Sequence, residues 1–175
     1  MTNNPTPTTS AASGSGLTKP KPKLYTNCFL IDTKNKSVLL GYKKRGFGSD
    51  RWNGFGGKVQ TGETIEQAAI REMEEESGVT ITDIENVGVI LFDFADKPTM
   101  APLEVHIFVA RQYDGTPSES EEMRPQWFKI NDVPLDKMWV DDIYWLPQVL
   151  GGKKIKAFFL FEGENNIIEK KVEFF

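Results

Sequence analysis

The sequence predicts a mixed α/β domain on two observations: one uninterrupted helix framed by Thr64 and Gly78, and seven β-prone apolar runs distributed on both sides of it. Thr64 with Gln67 three residues on is a capping-box pair, no proline follows for a dozen residues, and Gly78 stands where a helix takes a left-handed terminator. Ahead of this helix, Tyr25–Ile31 and Ser37–Tyr42 are apolar runs parted by the turn-forming Asp32-Thr33-Lys34-Asn35, and read as a hairpin. Gly46, Gly48, Gly54, Gly56 and Gly57, interleaved with Phe47, Trp52 and Phe55, then mark a loop region offering close backbone approach between aromatic walls. Beyond the helix, Val87–Phe94, Val105–Ala110, Trp127–Ile130, Lys156–Phe161 and Ile167–Phe175 have the length and the β-branched or aromatic content of strands. Asp141 and Asp142 open a second helix, expected to be Asp-capped and weakened by Pro147.

The balance of charge narrows the function. The 175 residues carry 21 Lys and Arg against 25 Asp and Glu, a formal charge of -4, and the pI is near 5.2. Such a chain has no general attraction for a nucleic acid polymer or an anionic bilayer, so any phosphate chemistry is local. Cys28 is the single cysteine, which excludes an intramolecular disulfide and a cysteine-based zinc site, and favours a reducing, cytoplasmic compartment. No apolar run reaches the roughly 18 residues of a membrane helix. Residues 1–16 hold four Thr, three Ser and two each of Asn, Pro, Ala and Gly, with almost nothing to bury, so residues 1–22 are expected to be a disordered tail ahead of one domain over 23–175. A monomer is expected.

The helix itself carries the chemistry. Between Glu63 and Glu76 stand six glutamates and one cation, Arg71. At about 100° per residue, Glu72, Glu75 and Glu76 share one third of the circumference with Ile65, Ala68 and Ala69; Gln67, Arg71 and Glu74 make the more water-facing side, while Ile70 and Met73 turn to the core. An acidic run is ordinarily a solvated face, but small residues beside stacked acids imply close packing. Like charges at these spacings repel unless a cation sits among them, and carboxylates without His or Cys suit Mg²⁺, with Mn²⁺ as a substitute. Since Mg²⁺ is usually shared between carboxylates and substrate phosphates, a phosphorylated substrate is implied. Arg71, one turn before Glu75, can hold that carboxylate in place.

Gly57-Lys-Val-Gln-Thr-Gly-Glu63, continuing through Arg71-Glu72, Glu75-Glu76 and Gly78-Val79, resembles the Nudix box at every defined position. The resemblance implies an α/β/α sandwich around a mixed sheet, and hydrolysis of a nucleoside diphosphate linked to another moiety with Mg²⁺ on the box glutamates. It extends through Lys43-Lys44-Arg45-Gly46-Phe47-Gly48, Arg51-Trp52-Asn53, Glu121-Glu122-Met123-Arg124-Pro125 and Trp139-Val140-Asp141-Asp142 to a branch of animal Nudix enzymes that act on oxidised purine nucleoside triphosphates such as 8-oxo-dGTP and 2-hydroxy-dATP, releasing pyrophosphate. It places metal on the Gly56 carbonyl, Glu72, Glu75, Glu76 and Glu122. Substrate contacts fall on Thr26, Lys43, Asn53, Phe55, Gly56, Gly57, Lys58, Phe92 and Trp139 to Asp142, and catalysis on Glu76, Glu122, Glu75 and Arg71.

Several of these residues have a physical rationale of their own. Trp139 offers an indole face for a purine, with Asp141 and Asp142 beside it; in a dry pocket, repulsion and desolvation keep one of the two acids protonated, giving a donor and an acceptor. The plainer alternative makes Trp139 core and Asp141 a cap. Asn53 can donate and accept at a purine edge. Phe47, Phe92 and Phe94 are expected to line the base pocket. Glu122 lies in an acidic run that would ordinarily be a solvated loop, and either it or Glu76 is the base for the attacking water. His106 is expected to be a satisfied core imidazole. Two departures flank the expected base pocket: Asn27 stands where the animal enzymes carry an apolar residue, and Val140 replaces a proline. The rivals are a Nudix hydrolase of another nucleotide, such as a methylated purine triphosphate or a dinucleoside polyphosphate, and a non-catalytic nucleotide sensor.

Overall fold

The computed structural model describes residues 19–175; most of the expected tail lies outside the described residues. Among the described residues there are ten strands and two α-helices: β1 (Lys23–Asp32), β2 (Ser37–Lys43), β3 (Trp52–Asn53), α1 (Ile65–Ser77), β4 (Thr80–Ile81), β5 (Glu85–Phe94), β6 (Leu103–Ala110), β7 (Tyr113–Asp114), β8 (Met123–Lys129), α2 (Asp142–Leu150), β9 (Ile155–Glu162) and β10 (Asn166–Phe174). The main sheet runs β10-β9-β5-β6-β1-β2-β3, with β8 on the other edge of β2, while β4 and β7 form a small separate ladder. It is a mixed sheet: β1 lies parallel to β6 and β5 parallel to β9, with antiparallel pairs between. Among the described residues no helix is long and apolar enough to cross a membrane.

Strand alternation assigns the two faces of β1 to different layers. Cys28 and Leu30 point toward α1 and pack with Ala69 and Met73. Phe29 and Ile31 point the other way, into the larger cluster containing Trp145, Leu146 and Val149 of α2. The result is the expected sandwich, a sheet covered by one helix on each face, because a strand buried on both sides must be apolar at successive positions.

The first hairpin opens into a wedge. β1 and β2 pair only over Leu30–Asp32 and Ser37–Leu39, next to their turn. Further along, β2 pairs with β3 at Gly41 and Tyr42, and the chain after β3 takes up the edge of β1 that β2 has left. The Cys28 N–H donates to the Phe55 carbonyl at 2.7 Å, the Phe55 N–H donates back at 2.9 Å, and the Thr26 N–H donates to Gly57 O at 2.9 Å. The glycine-rich segment is thus fixed as a strand-like insert between two diverging strands.

Helix α1 starts and stops where expected. Thr64 Oγ1 accepts from the Gln67 N–H at 3.1 Å and Gln67 Oε1 accepts from the Thr64 N–H at 2.8 Å, a closed capping box. Gly78 ends the helix at φ 75°, with its N–H on Glu74 O. Helix α2 continues through Pro147 to Leu150. The carbonyl that proline leaves without its N–H is that of Ile143, an exposed residue that water can reach. Asp141 stands at the N-cap position but makes no side-chain capping bond. Strand β8 starts four residues before the expected run and passes through Pro125, which an edge strand tolerates. The two-residue strands β3, β4 and β7 carry too short a pattern to be read from sequence. His106 is half-buried and bonds Glu104 Oε1 at 2.9 Å, so the imidazole is satisfied at the periphery and not in the core.

Because the Thr64 hydroxyl closes the box that begins α1, Thr64→Ala is expected to lower unfolding stability by about 1 kcal/mol. Urea denaturation measures it; an unchanged midpoint at unchanged m-value counts against a capping contribution.

Candidate active site

The glycine insert and α1 face each other across an acidic cleft. Glu76 is only 4% exposed and its Oε2 accepts the Gly56 N–H at 2.9 Å. A β-carbon on Gly56 would collide with the Thr26 carbonyl, so that position excludes any side chain, and one on Gly57 would lie 2.5 Å from Glu72 Oε1 and push that carboxylate aside. The Phe55 and Gly57 carbonyls are turned to β1; the Gly56 carbonyl between them receives no hydrogen bond among the described residues. Glu122 comes from the loop before β8 and stands half-exposed across the cleft, within electrostatic reach of Glu72 and Glu76.

Arg71 is the organiser of the opposite wall. Its Nε and Nη2 donate to the two oxygens of Glu63 at 2.9 and 2.7 Å, and Nη1 donates to Glu72 at 2.8 Å and Glu75 at 3.1 Å. A further bond runs from Nη2 to the Lys58 carbonyl at 3.3 Å. The water-facing position expected for Arg71 is therefore corrected: three carboxylates draw the guanidinium over the acid ridge, leaving Gln67 and Glu74 exposed. Ile70 is only half-buried, whereas Met73 is fully buried as expected.

These contacts divide the acids electrostatically. The Arg71 hydrogen bonds hold Glu63 down at about 2, and in return raise the guanidinium above its ordinary range. Burial pushes Glu76 up to about 8; the Gly56 N–H and Lys43 oppose this, while Glu72 and Glu122 add to it. Glu72 is likewise raised, mainly by burial, against the pull of Arg71. One ridge therefore holds a carboxylate fully neutralised by Arg71 and others whose negative charge is poorly compensated.

That imbalance fits a hard divalent cation. The donors are all oxygen, a combination suited to Mg²⁺ or Mn²⁺. Among the described residues no three acidic, His or Cys side chains converge on a single point, since Glu72 and Glu75 are both turned to Arg71. Gly56, Glu72, Glu75, Glu76 and Glu122 all line the cleft in which such a cation would sit.

On the far side of the glycine insert lies a second cavity of about 480 Å³, within the range of small-molecule sites and walled mainly by apolar side chains. Thr26, Lys43, Asn53, Gly56, Gly57, Phe92, Trp139, Asp141 and Asp142 all line it, as do Phe47 and Phe94. Lys43, Gly56 and Gly57 also line the acidic cleft, so the two spaces share a wall. Lys58 borders only the cleft. Two expected contacts are corrected. Phe55 is fully buried in the α1-side cluster, because its place in the insert turns the ring away from the cavity. Val140 packs against the α2-side core instead of the cavity. Leu103, Val105 and Ile107 of β6, Met100 before it, Phe161 of β9 and Tyr25 and Asn27 of β1 are also among the walls; sequence reasoning missed the apolar ones because wall and core positions share the same strand alternation.

The rim and floor of this cavity are aromatic and acidic. Trp139 lies 5.1 Å from the Phe47 ring, with the Arg51 guanidinium 4.2 Å from the indole centroid. Asp141 and Asp142 are 3% and 5% exposed. Asp141 Oδ2 accepts from Trp145 Nε1 at 2.9 Å and Asp142 Oδ2 accepts from the Trp139 N–H at 3.1 Å. Burial raises both carboxyls, and the neighbouring Asp141 charge raises Asp142 further. The expected role of Asp141 as a cap is thus replaced by a bond to a buried indole.

The profile of the NUDIX domain matches residues 21–149. The chain belongs to the Nudix family. An oxidized purine nucleoside triphosphate hydrolase of Danio rerio is 54% identical over 136 residues, covering 78% of this chain and 86% of that protein. The protein of the same description from Mus musculus is 49% identical over 146 residues, covering 83% and 91%. Among solved structures, a MutT protein from Bacillus halodurans superposes with a TM-score of 0.75 at 24% identity over 86% of this chain and 97% of its own, a likeness of fold. The acid ridge is accordingly the Nudix box, carried by the Gly56–Gly57 insert and α1.

In metal-free protein, Glu76 has a folded pKa of about 8, above its ordinary value of 4.5. The folded state therefore holds this proton more tightly than the unfolded one. Its contribution is fully present below the unfolded value and is lost as pH rises through about 8. Glu76→Gln should melt higher than wild type at pH 8 to 9 and converge with it near pH 4.5, as read by thermal melts in chelator; a difference independent of pH contradicts a buried, desolvated carboxylate.

Proposed function

We propose that this Nudix protein hydrolyses oxidised purine nucleoside triphosphates, 8-oxo-dGTP and 2-hydroxy-dATP among them, to the monophosphate and pyrophosphate. The observation that carries the reading is the shared wall between the acidic cleft and the cavity. A purine in the cavity beside Trp139 and the two aspartates would have its phosphates led past Lys43 and Gly56–Gly57 to the carboxylates. The relatives described as oxidized purine nucleoside triphosphate hydrolases, at 54% and 49% identity, support the same substrate. With the net charge of -4, the reading is of a monomer acting on free nucleotides in the cytoplasm, with 23–175 as the hydrolase domain and no polymer or membrane as partner.

Mg²⁺, held by the Gly56 carbonyl, Glu72, Glu75, Glu76 and Glu122, would neutralise phosphate charge and acidify water. The chain's own groups do the rest. Arg71 fixes Glu63, Glu72 and Glu75 so that the ridge does not rearrange as charge builds. Glu76 and Glu122 stand on the buried and the open side of the cleft, and one of them takes the proton of the attacking water. Lys43 supplies a positive side chain where the cleft meets the cavity. At the base, the proton shared by Asp141 and Asp142 gives one donor and one acceptor, and moving it between them lets a single pocket read both oxidised guanine and oxidised adenine.

Incubation with Mg²⁺ and a panel of oxidised and normal purine triphosphates is expected to release pyrophosphate, with the oxidised purines preferred. Glu76→Gln should lower kcat by at least roughly a hundredfold while leaving nucleotide binding largely intact. Release of inorganic phosphate, or no turnover by wild type, contradicts the reading. Asp141→Asn and Asp142→Asn should each alter both the base preference and the pH profile of kcat/KM; wild-type behaviour in both would remove the shared-proton account.

A further inference from the structure

Asn27 lies on β1 between Tyr25 and Phe29, on the strand face that looks toward α2, and it lines the apolar cavity. Its Oδ1 is the one buried side-chain polar atom without a hydrogen-bond partner among the described residues. That oxygen rests in the space a β-carbon would need on Gly54, and it receives no hydrogen bond there. The backbone of β1 is paired on both sides here, with Cys28 bonded to Phe55 and Asn27 in register with Ile107 of β6, so the strand cannot shift to relieve it. The other polar groups of the floor are spoken for: Asp141 by the Trp145 indole, Asp142 by the Trp139 N–H, and Asn53 Nδ2, more weakly, by the Arg51 carbonyl.

An apolar side chain of the same size would satisfy the packing without stranding a carbonyl, and the surrounding walls are apolar. The amide is therefore an expense to the empty fold, one that a hydrogen bond from its other pole to a bound group would offset. Its Nδ2 makes no hydrogen bond within the described protein and, unlike Oδ1, is not among the buried unpartnered atoms, so it is the pole open to the cavity. The structure assigns Asn27 as a specificity-determining residue whose Nδ2 donates to a ring-nitrogen or carbonyl acceptor on the edge of the purine lying against β1. This reading point is separate from the aspartate pair on α2. The assignment rests on the purine triphosphate reading of the cavity and deepens it: this chain prefers, among purine triphosphates, those that carry an acceptor at that edge. A site holding a polar group for a polar substrate atom rejects analogues that lack it more strongly than an apolar wall can.

The test uses the full chain with Mg²⁺, as wild type, Asn27→Leu and Asn27→Asp. Leucine keeps the bulk and removes the amide, while aspartate keeps the shape and replaces the donor with an acceptor. kcat and KM are measured on 8-oxo-dGTP, dGTP, 2-hydroxy-dATP, dATP and 7-deaza-dGTP, with product monophosphate affinity by calorimetry as a second readout. Asn27→Leu is expected to lose roughly tenfold or more on the best substrate, chiefly in KM and with a parallel loss of product affinity, while the poorest substrate changes less than about threefold. Asn27→Asp should lose the same substrate, and serves if the leucine variant fails to fold. Unchanged substrate ratios and product affinities in folded variants overturn the assignment and leave the hydrolase reading standing. A wild type that turns over none of the panel overturns that reading, and the assignment falls with it.

Discussion

The fold is organised around negative charge that it gathers and does not itself neutralise. Glu76 is buried beneath the glycine insert, and its single backbone donor, the Gly56 N–H, is too little to keep the carboxyl in its ordinary range. Glu63, by contrast, is fully matched by a two-pronged bond from Arg71. A structure meant only to be stable would match every acid or expose it, since an unpaired buried carboxylate is costly. Here one acid is matched so that the guanidinium stands rigidly over the others. The rest of the architecture follows from that requirement: α1 must approach the backbone of Gly56 and Gly57 closely, Gly56 has no room for a side chain against β1, and one on Gly57 would displace the Glu72 carboxylate.

The wedge between β1 and β2 makes this approach possible. Had the hairpin stayed paired along its length, β2 would occupy the edge of β1 that the insert uses. Its early splaying lets residues 55–59 bond to β1 while the Gly56 N–H and the Lys58 carbonyl turn to Glu76 and Arg71. The same insert forms a wall of the apolar cavity, so Gly56 and Gly57 border both spaces at once.

Much of this was legible in the sequence, and what was not has identifiable causes. The helix from Thr64 to Gly78 was readable because both caps are local chemistry that packing does not override. The long strands were readable from their apolar runs, whereas β3, β4 and β7 are two residues each and owe their pairing to tertiary context. The box acids were readable because i, i+3 and i+4 spacing fixes their side of the helix. Arg71 was misplaced because helical angle alone cannot show that three carboxylates will pull a long side chain across the ridge. Phe55 and Phe92 looked alike as aromatic candidates, yet one is core and the other wall; the difference lies in the direction of the insert, which no local pattern encodes.

The division of labour between chemistry and recognition reduces to the period of a single strand. Successive residues of β1 face opposite layers: Cys28 and Leu30 are turned to the side of α1, Asn27 and Phe29 to that of α2, while Thr26, whose hydroxyl meets the Gly57 N–H, borders the apolar cavity together with Asn27. Register is therefore a functional constraint, since a one-residue slip would carry the polar Asn27 against α1 and the Thr26 hydroxyl away from Gly57. Eight consecutive pairs to β6 fix it on one edge, and the insert fixes it on the other. With both edges held, a side chain of β1 facing the cavity can diverge, as Asn27 does, without disturbing the cleft. Substitutions on that face should then alter the shape and polarity of the cavity while the carboxylate ridge stays as it is.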